Sequence, residues 1–477
     1  MLLRLKSKIV LIALLTLAVV TVGGYFWRNS VRNQIARSAA AIVPDLGGRD
    51  SELVERVQLA RKQIQLGQKP VEALATLTRL YYANGWFAPA SRTCAGLVEL
   101  EPRNPQWPYI LALLRANAGQ LNEALPLLLR TIELAPDYLP ARLKAAAVMT
   151  KLNQADAAIA VEKVVLEKEP ANIYAWVGLG NIYAAQKKWD LAKASFQKAI
   201  SFSDQFRPAW LGMVAVYEAE GNSLAATDAQ SRVDTVSRSP DSPDPWIDPM
   251  IEECYDVYYL RVAAYSSTDK DFSQRLLERA VRLQPKDADV RRDLGMFLFR
   301  INSFGEARRH LVEATALAPA NSENWLSLIT FLNAIRDAGA ADQAIRNGLA
   351  HCPTSAGLWL ERGRFLARAH AFDDAFSAFA RSAEFGPKEA APHAEAAVAY
   401  FQLDQADKAL RELKTALALQ PNNPFAQVVM ARYAIVVRDK ATALAFFEKA
   451  RRNPSVLSED KAQLAAAFEA EFGPYPQ

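Results

Sequence analysis

Arginine is the residue type in this chain best placed to bind something. Arg291, Arg292 and Arg300 crowd into one segment, and Arg362, Arg364 and Arg368 into another. A guanidinium presents a planar fork of donors that grips a carboxylate through two parallel hydrogen bonds. The alternative is that these arginines pair with neighbouring acids or are simply solvated. Other chemistry finds little support. The four histidines, His310, His351, His370 and His393, form no HExxH and no i, i+4 pair, and no acidic cluster stands beside them at ligand spacing. Cys94, Cys254 and Cys352 lie far apart and include no CxxC, so they read as buried free thiols rather than a disulfide framework or a metal knuckle. No GxGxxG, Walker or GxSxG loop occurs. Adjacent acids such as Asp373 and Asp374 fall in an expected turn. The expectation is a protein with no catalytic residues, no metal and no cofactor.

The elements that must position these arginines are set by a repeat. Ala90, Ala124, Ala158, Ala192 and Ala226 fall at one constant interval, and Ala307, Ala341, Ala375, Ala409 and Ala443 fall at the same interval. Pro102, Pro136 and Pro170, then Pro285, Pro319, Pro353, Pro387 and Pro421, keep it too. The interval, about 34 residues, is the length of a helix-turn-helix repeat unit. Both series are interrupted once. The steps from Ala226 to Ala307 and from Pro170 to Pro285 exceed a whole number of periods by the same remainder. Two residue types thus report one insertion of one size, and the chain reads as an array of units. Within residues 173–206, Trp176, Leu179, Gly180 and Tyr183 take positions i, i+3, i+4 and i+7, one stripe of a helix. Gln186 to Trp189 make a polar turn, and Ala192, Phe196 and Ala199 form the facing stripe of a second helix. The proline that ordinarily follows cannot continue a helix and closes the unit; here Asp204 takes its place. Trp176 is expected to be buried between the two helices of its own unit and the next.

The spacing W-x2-L-G-x2-Y followed by A-x3-F-x2-A resembles the tetratricopeptide repeat over residues 71 to about 457. Trp210 and Tyr217, Trp325, Trp359 with Gly363 and Phe379, His393 with Tyr400, and Phe447 with Ala450 mark further units in the same phase. The resemblance implies an all-α superhelical solenoid of about eleven helix-turn-helix units. Five are expected in residues 71–240 and six in 254–457, with a Pro-rich linker at 241–253. A linker and preceding helix are expected in 38–70, and a capping helix and tail in 458–477. In this family first helices line the inner groove. Tyr174, Asn181, Tyr255, Tyr258, Arg292, Arg300, Arg364, Arg368 and Arg432 are the residues expected to face it. Asn181 matches one asparagine of the family's carboxylate clamp, but Val177 stands where the clamp lysine would be.

The insertion lies in residues 237–253 and is rich in proline, which precludes a regular helix. It reads as a linker that changes the angle between two sub-arrays, or as a docking element. Trp246 and Met250 are large apolar residues that a mere spacer would not need. The following segment is dense in tyrosine, with Tyr255, Tyr258, Tyr259 and Tyr265.

Ile9 to Trp27 carries no charge, and as a helix these 19 residues would span about 28 Å, close to a bilayer's hydrocarbon thickness. Tyr25, Phe26 and Trp27 would form the aromatic belt at the far interface. The expectation is an N-terminal transmembrane signal anchor within residues 1–37, in the cytoplasmic membrane, with the array outside; a cleaved signal peptide ending near Gly23 and Gly24 and a buried soluble helix are the alternatives. Residues 1–37 hold six of the 56 basic residues and none of the 52 acidic ones, so the remainder is nearly neutral. A near-neutral body argues against nucleic acid as a partner. The functional expectation is a membrane-tethered scaffold that recruits partner proteins through its groove, with no small-molecule substrate. A non-catalytic subunit of an envelope enzyme, secretion or polysaccharide-export complex is one alternative, and a secreted soluble adaptor is another.

Overall fold

A computed structural model describes residues 27–236, 242–453 and 455–474, and among these every regular element is a helix. Two compact units divide at Leu283 and Gln284. In the first, α1 covers 27–39 and α2 Ser51–Gln65, followed by the pairs α3 (Pro70–Ala83) with α4 (Phe87–Leu100) and α5 (Gln106–Asn117) with α6 (Leu121–Leu134). Next come α7 (Leu139–Lys151) with α8 (Ala155–Lys168), α9 (Ile173–Ala185) with α10 (Trp189–Phe202), and α11 (Arg207–Ala219) with α12 (Ser223–Thr235). The short α13 (Asp248–Ile251) precedes a last pair, α14 (Val257–Ser266) with α15 (Lys270–Leu283). The second unit holds α16 (Ala288–Arg300) with α17 (Phe304–Leu317), α18 (Ser322–Ala334) with α19 (Ala338–His351), and α20 (Ala356–Arg368) with α21 (Phe372–Phe385). Then follow α22 (Ala391–Gln402) with α23 (Ala406–Leu419), α24 (Pro424–Val436) with α25 (Lys440–Arg452), and the terminal α26 (Ser458–Phe472).

The alanine series explains how each pair closes. Nine of those ten alanines are buried, Ala226 being half-buried, because a second helix crosses its first helix where only a methyl group fits. Four residues later comes the side chain that fills the pair. Phe196 is fully buried, and a Cβ on Gly180 or on Gly212 would lie within 2.4 Å of its ring. One ring is thus clamped between α9 and α11, and those glycines are small because the ring is not. Leu128, Leu311, Ile345, Phe379 and Leu413 fill the same slot elsewhere.

The turn inside each pair repeats as strictly as the helices. Gly85, Gly119, Asn153, Lys187 and Gly221 have positive φ, and so do Asn302, Arg336, His370, Asp404 and Arg438. These positions keep the period of the alanines and share its single offset. After each, a backbone N–H reaches the carbonyl five residues back, as in Gln120 to Arg115 at 2.9 Å and Asp337 to Leu332 at 3.0 Å. This is the left-handed cap that satisfies the last carbonyls of a helix. His370 is therefore a turn residue.

Two expectations are corrected. Trp176 is only half-buried, and its role is a cap: its indole N–H donates to the Pro170 carbonyl at 2.9 Å. Trp210, Trp325 and Trp359 donate likewise to the carbonyls of Asp204, Pro319 and Pro353 at 2.7, 2.9 and 2.7 Å. Arg291 and Gln427 replace tryptophan at this slot and still supply the N–H, to Pro285 and Pro421. In these units the side chain reaches the turn six residues back, whereas His393 at the same slot meets Glu412 at 2.7 Å.

The second correction concerns the membrane. Among the described residues no helix is long and apolar enough to cross a bilayer, so the expected localisation as a single-pass membrane protein is not supported. The expected span runs from Ile9 to Trp27, and residues 1–26 lie outside the described ones. Trp27 lies in α1, whose Ala36 and Ala39 are buried in the core of the first unit. A Cβ on Gly96 would come within 2.6 Å of the Ala39 methyl, which shows how tightly α1 rests on α4. At the other end, α26 inserts Leu464 and Phe468 against Phe447, covering the apolar face of the last pair.

Candidate functional site

In the first unit α7 touches α9 and α9 touches α11, and in the second the first helices touch in succession from α16 with α18 to α24 with α26. Their partners, the second helices, do not approach one another as closely, so first helices form the inner face. In the second unit that face carries the arginines, and most of them bridge first helices. Arg292 donates to Asp289 at 2.7 Å and to Asn324 of α18 at 3.3 Å. Arg364 holds Glu361 at 2.6 Å and Glu395 of α22 at 2.7 Å. Burial acts to lower the Arg364 pKa, but the charges of Glu395 and Glu361 outweigh it and the guanidinium is held above its usual value. Arg368 reaches back to Asn333 of α18 at 3.5 Å, and Arg432 forward to Asp460 and Gln463 of α26 at 3.2 and 2.9 Å. Arg300 lies 5.8 Å from the centre of the Phe297 ring. Arg292 and Arg364 therefore spend their forks on acids of the fold, while Arg368 and Arg432 keep much of their surface towards solvent.

The first unit uses its first-helix face differently: its own chain lies on it. Residues 242–256 return across α3, α5 and the start of α7. Asp244 is 7% exposed, and its carboxylate accepts the Tyr109 hydroxyl at 2.5 Å, the Tyr138 hydroxyl, and the backbone N–H groups of Trp246 and Ile247 at 3.2 and 3.1 Å. Oδ1 takes three of these donors and Oδ2 takes the Tyr109 hydroxyl. Burial, and then the charge of Asp244, push both tyrosine hydroxyls above their ordinary range, so both stay protonated and donate. The Trp246 ring stacks on Tyr138 with centroids 3.5 Å apart and meets Tyr109 edge-on at 5.7 Å. Ile247 and Met250 are buried in the same core. Further along, Asn84 reads the backbone from both sides, donating to the Glu253 carbonyl at 3.1 Å and accepting from the Tyr255 N–H at 2.8 Å. Arg56 of α2 grips Glu253 at 2.6 Å and donates to the Tyr255 hydroxyl at 3.2 Å.

The residues singled out in sequence are thus spread over two units and do not converge on one site. Tyr174 packs edge-on against Phe206 at 5.2 Å, and Asn181 is exposed. Tyr255 lies under Arg279, 4.4 Å from the guanidinium, whereas Tyr258 is 74% exposed. Trp246 and Met250 face inward onto the first unit. Tyr109, Tyr138, Asn84 and Arg56 complete the grip, and sequence reasoning misses all four. One signal points to Tyr109: it lies two whole periods before Val177, the slot assigned to the groove.

Among the described residues no three His, Cys, Asp or Glu side chains stand where they could hold a metal ion. Cys94 and Cys254 are buried and Cys352 half-buried, all as free thiols.

Two stretches match family models described as tetratricopeptide repeat: residues 173–206, which coincide with α9 and α10, and residues 263–322. No curated protein matches the chain. Among solved structures it is similar to yeast Tom70, at 16% identity and TM-score 0.40 over 84% of this chain and 96% of that one. It is also similar to PilW, described as a widely conserved type IV pilus biogenesis factor, at 20% identity and TM-score 0.33 over 40% of this chain and 95% of that one. MamA from Desulfovibrio magneticus RS-1 is similar at 16% identity and TM-score 0.30, over 39% and 96%. These likenesses are too weak to carry any functional argument. Residues 173–206 and 263–322 thus match the tetratricopeptide repeat, and the alanines and left-handed turns of the remaining helix pairs recur at the same period.

Proposed function

We propose that this protein is a non-catalytic scaffold that holds partner proteins on the inner, first-helix faces of its two units. Stacked helical hairpins offer an extended face, and tetratricopeptide-repeat proteins generally bind extended peptides, helices or domain surfaces there. The observation that carries the reading is the return of residues 242–256 over α3, α5 and α7. That segment is held as a peptide ligand would be, by side chains that grip its carboxylate, its indole and its backbone. In the second unit, Arg300, Arg368 and Arg432 are the contacts for an acidic partner segment, and Arg292 and Arg364 keep the spacing of the first helices beneath it. Tyr174, Asn181, Tyr255 and Tyr258 are the corresponding candidates in the first unit.

The test is affinity capture from the source cells with the full chain as bait. Arg368→Ala together with Arg432→Ala should lower recovery of a stoichiometric partner severalfold. Lys414→Ala with Arg381→Ala, on second helices, should leave recovery unchanged. Equal loss from both faces would sink the assignment.

A further inference from the structure

We propose that the α3–α5–α7 face is a recognition site for a peptide carrying aspartate two residues before an aromatic ring, and that residues 243–250 fill it as an internal stand-in. The inference rests on the scaffold reading above and names the chemistry of one of its sites.

The repeat itself supplies the first argument. Five complete helix pairs, α3 to α12, precede the segment, and the inserted residues lie outside the repeat unit. The pairs close without it, through Cys94, Leu128 and Phe196, all fully buried. The segment adds no regular element beyond the single turn of α13. What holds it is a set of groups aimed at particular side chains. Two hydroxyls from different pairs meet on one carboxylate, Tyr109 from α5 and Tyr138 from the turn before α7. The Tyr138 ring lies 12° from parallel with the indole, and the Tyr109 ring meets its edge. Phenylalanine at both positions would pack equally well, so the hydroxyls read the acid. Asn84 reads main chain alone, which any peptide supplies.

The motif follows from these contacts. An aspartate at the first position takes the two hydroxyls and starts its own turn, since Asp244 also accepts from Trp246 and Ile247 N–H. An aromatic side chain two residues on stacks on Tyr138. Apolar side chains three and six residues from the aspartate fill the floor, as Ile247 and Met250 do. A partner presenting this pattern would compete with the chain's own copy for Tyr109 and Tyr138.

The experiment uses the full chain and a fluorescein-labelled peptide of sequence SPDPWIDPMIEE, read by anisotropy. A site occupied internally most of the time weakens apparent affinity by the fraction left vacant. Asp244→Ala with Trp246→Ala should empty the face and tighten peptide binding about tenfold or more over the unsubstituted chain, which leaves under a tenth of sites vacant. Adding Tyr109→Phe and Tyr138→Phe should remove that gain, and a peptide with alanine at the aspartate and tryptophan should not bind. The proposal is overturned if the emptied chain binds no tighter than the original, or binds the altered peptide equally well. Should the double variant fail to fold, Asp244→Asn keeps the volume, loses the charge and reads the same competition. Peptide binding without any captured partner would sink the scaffold reading alone; a captured partner without peptide binding would sink this one alone.

Discussion

Glu162 is a carboxyl group in a position the repeat reserves for a hydrocarbon. It follows Ala158 by four residues, as Cys94, Leu128, Phe196, Leu311, Phe379 and Leu413 follow their own alanines. It is 3% exposed, one of its oxygens is buried without a hydrogen-bond partner, and it presses on Gly178 so closely that a Cβ there would lie 2.2 Å from a carboxyl oxygen. Burial pushes its pKa from 4.5 up to about 8. The folded chain therefore keeps the proton at neutral pH, while the unfolded chain releases it. Stability from the protonated form is fully present below pH 4.5 and is lost as pH rises towards 8. At about 1.4 kcal/mol per pH unit, the penalty at pH 7 is about 3 kcal/mol. Glu162→Leu should remove it. The stability gap between variant and original should widen by about 3 kcal/mol from pH 5 to pH 7.5. Glu162→Gln should flatten the same pH dependence without adding apolar burial. Urea unfolding at the two pH values measures the gap, and amide exchange in α8 and α9 locates it. A gap of equal size at both pH values would show that Glu162 is not held protonated, and the reasoning would fail.

Two further outcomes follow from the repeat. Phe196→Ala should cost about 3–5 kcal/mol, because the ring fills the space left by Gly180 and Gly212; amide exchange should rise in α9, α10 and α11 and hardly at all in the second unit, as expected of a quasi-linear array. Arg336→Gly should raise the midpoint of thermal unfolding, with a gain of up to about 1 kcal/mol, because arginine there holds a φ of 60° that glycine adopts without strain; an unchanged or lower midpoint would refute the account of the turn.

Much of the fold is legible because each unit is encoded within a few turns of chain. A stripe at i, i+3, i+4 and i+7 makes an amphipathic helix wherever it occurs, and a proline ends one. The tryptophan slot is visible but easily misread, since periodicity marks Trp176 as facing its neighbours without telling whether its body or its N–H matters. The arginines stand out by type, yet nothing in the sequence says which acids meet them. Arg364 finds Glu395, 31 residues on, only because stacking brings α20 beside α22.

By itself, then, the chain's order of residues decided the helical class, the constant pitch of the repeat, the place of the turns and the size of the insertion, because each depends on neighbours within one hairpin. Only tertiary structure decided where the insertion goes. Asp244 meets Tyr138 across 106 residues and Tyr109 across 135, and Tyr255 meets Arg56 across 199. Contacts at such separations come from how stacked pairs present their first-helix faces, a geometry that no local pattern of side chains encodes.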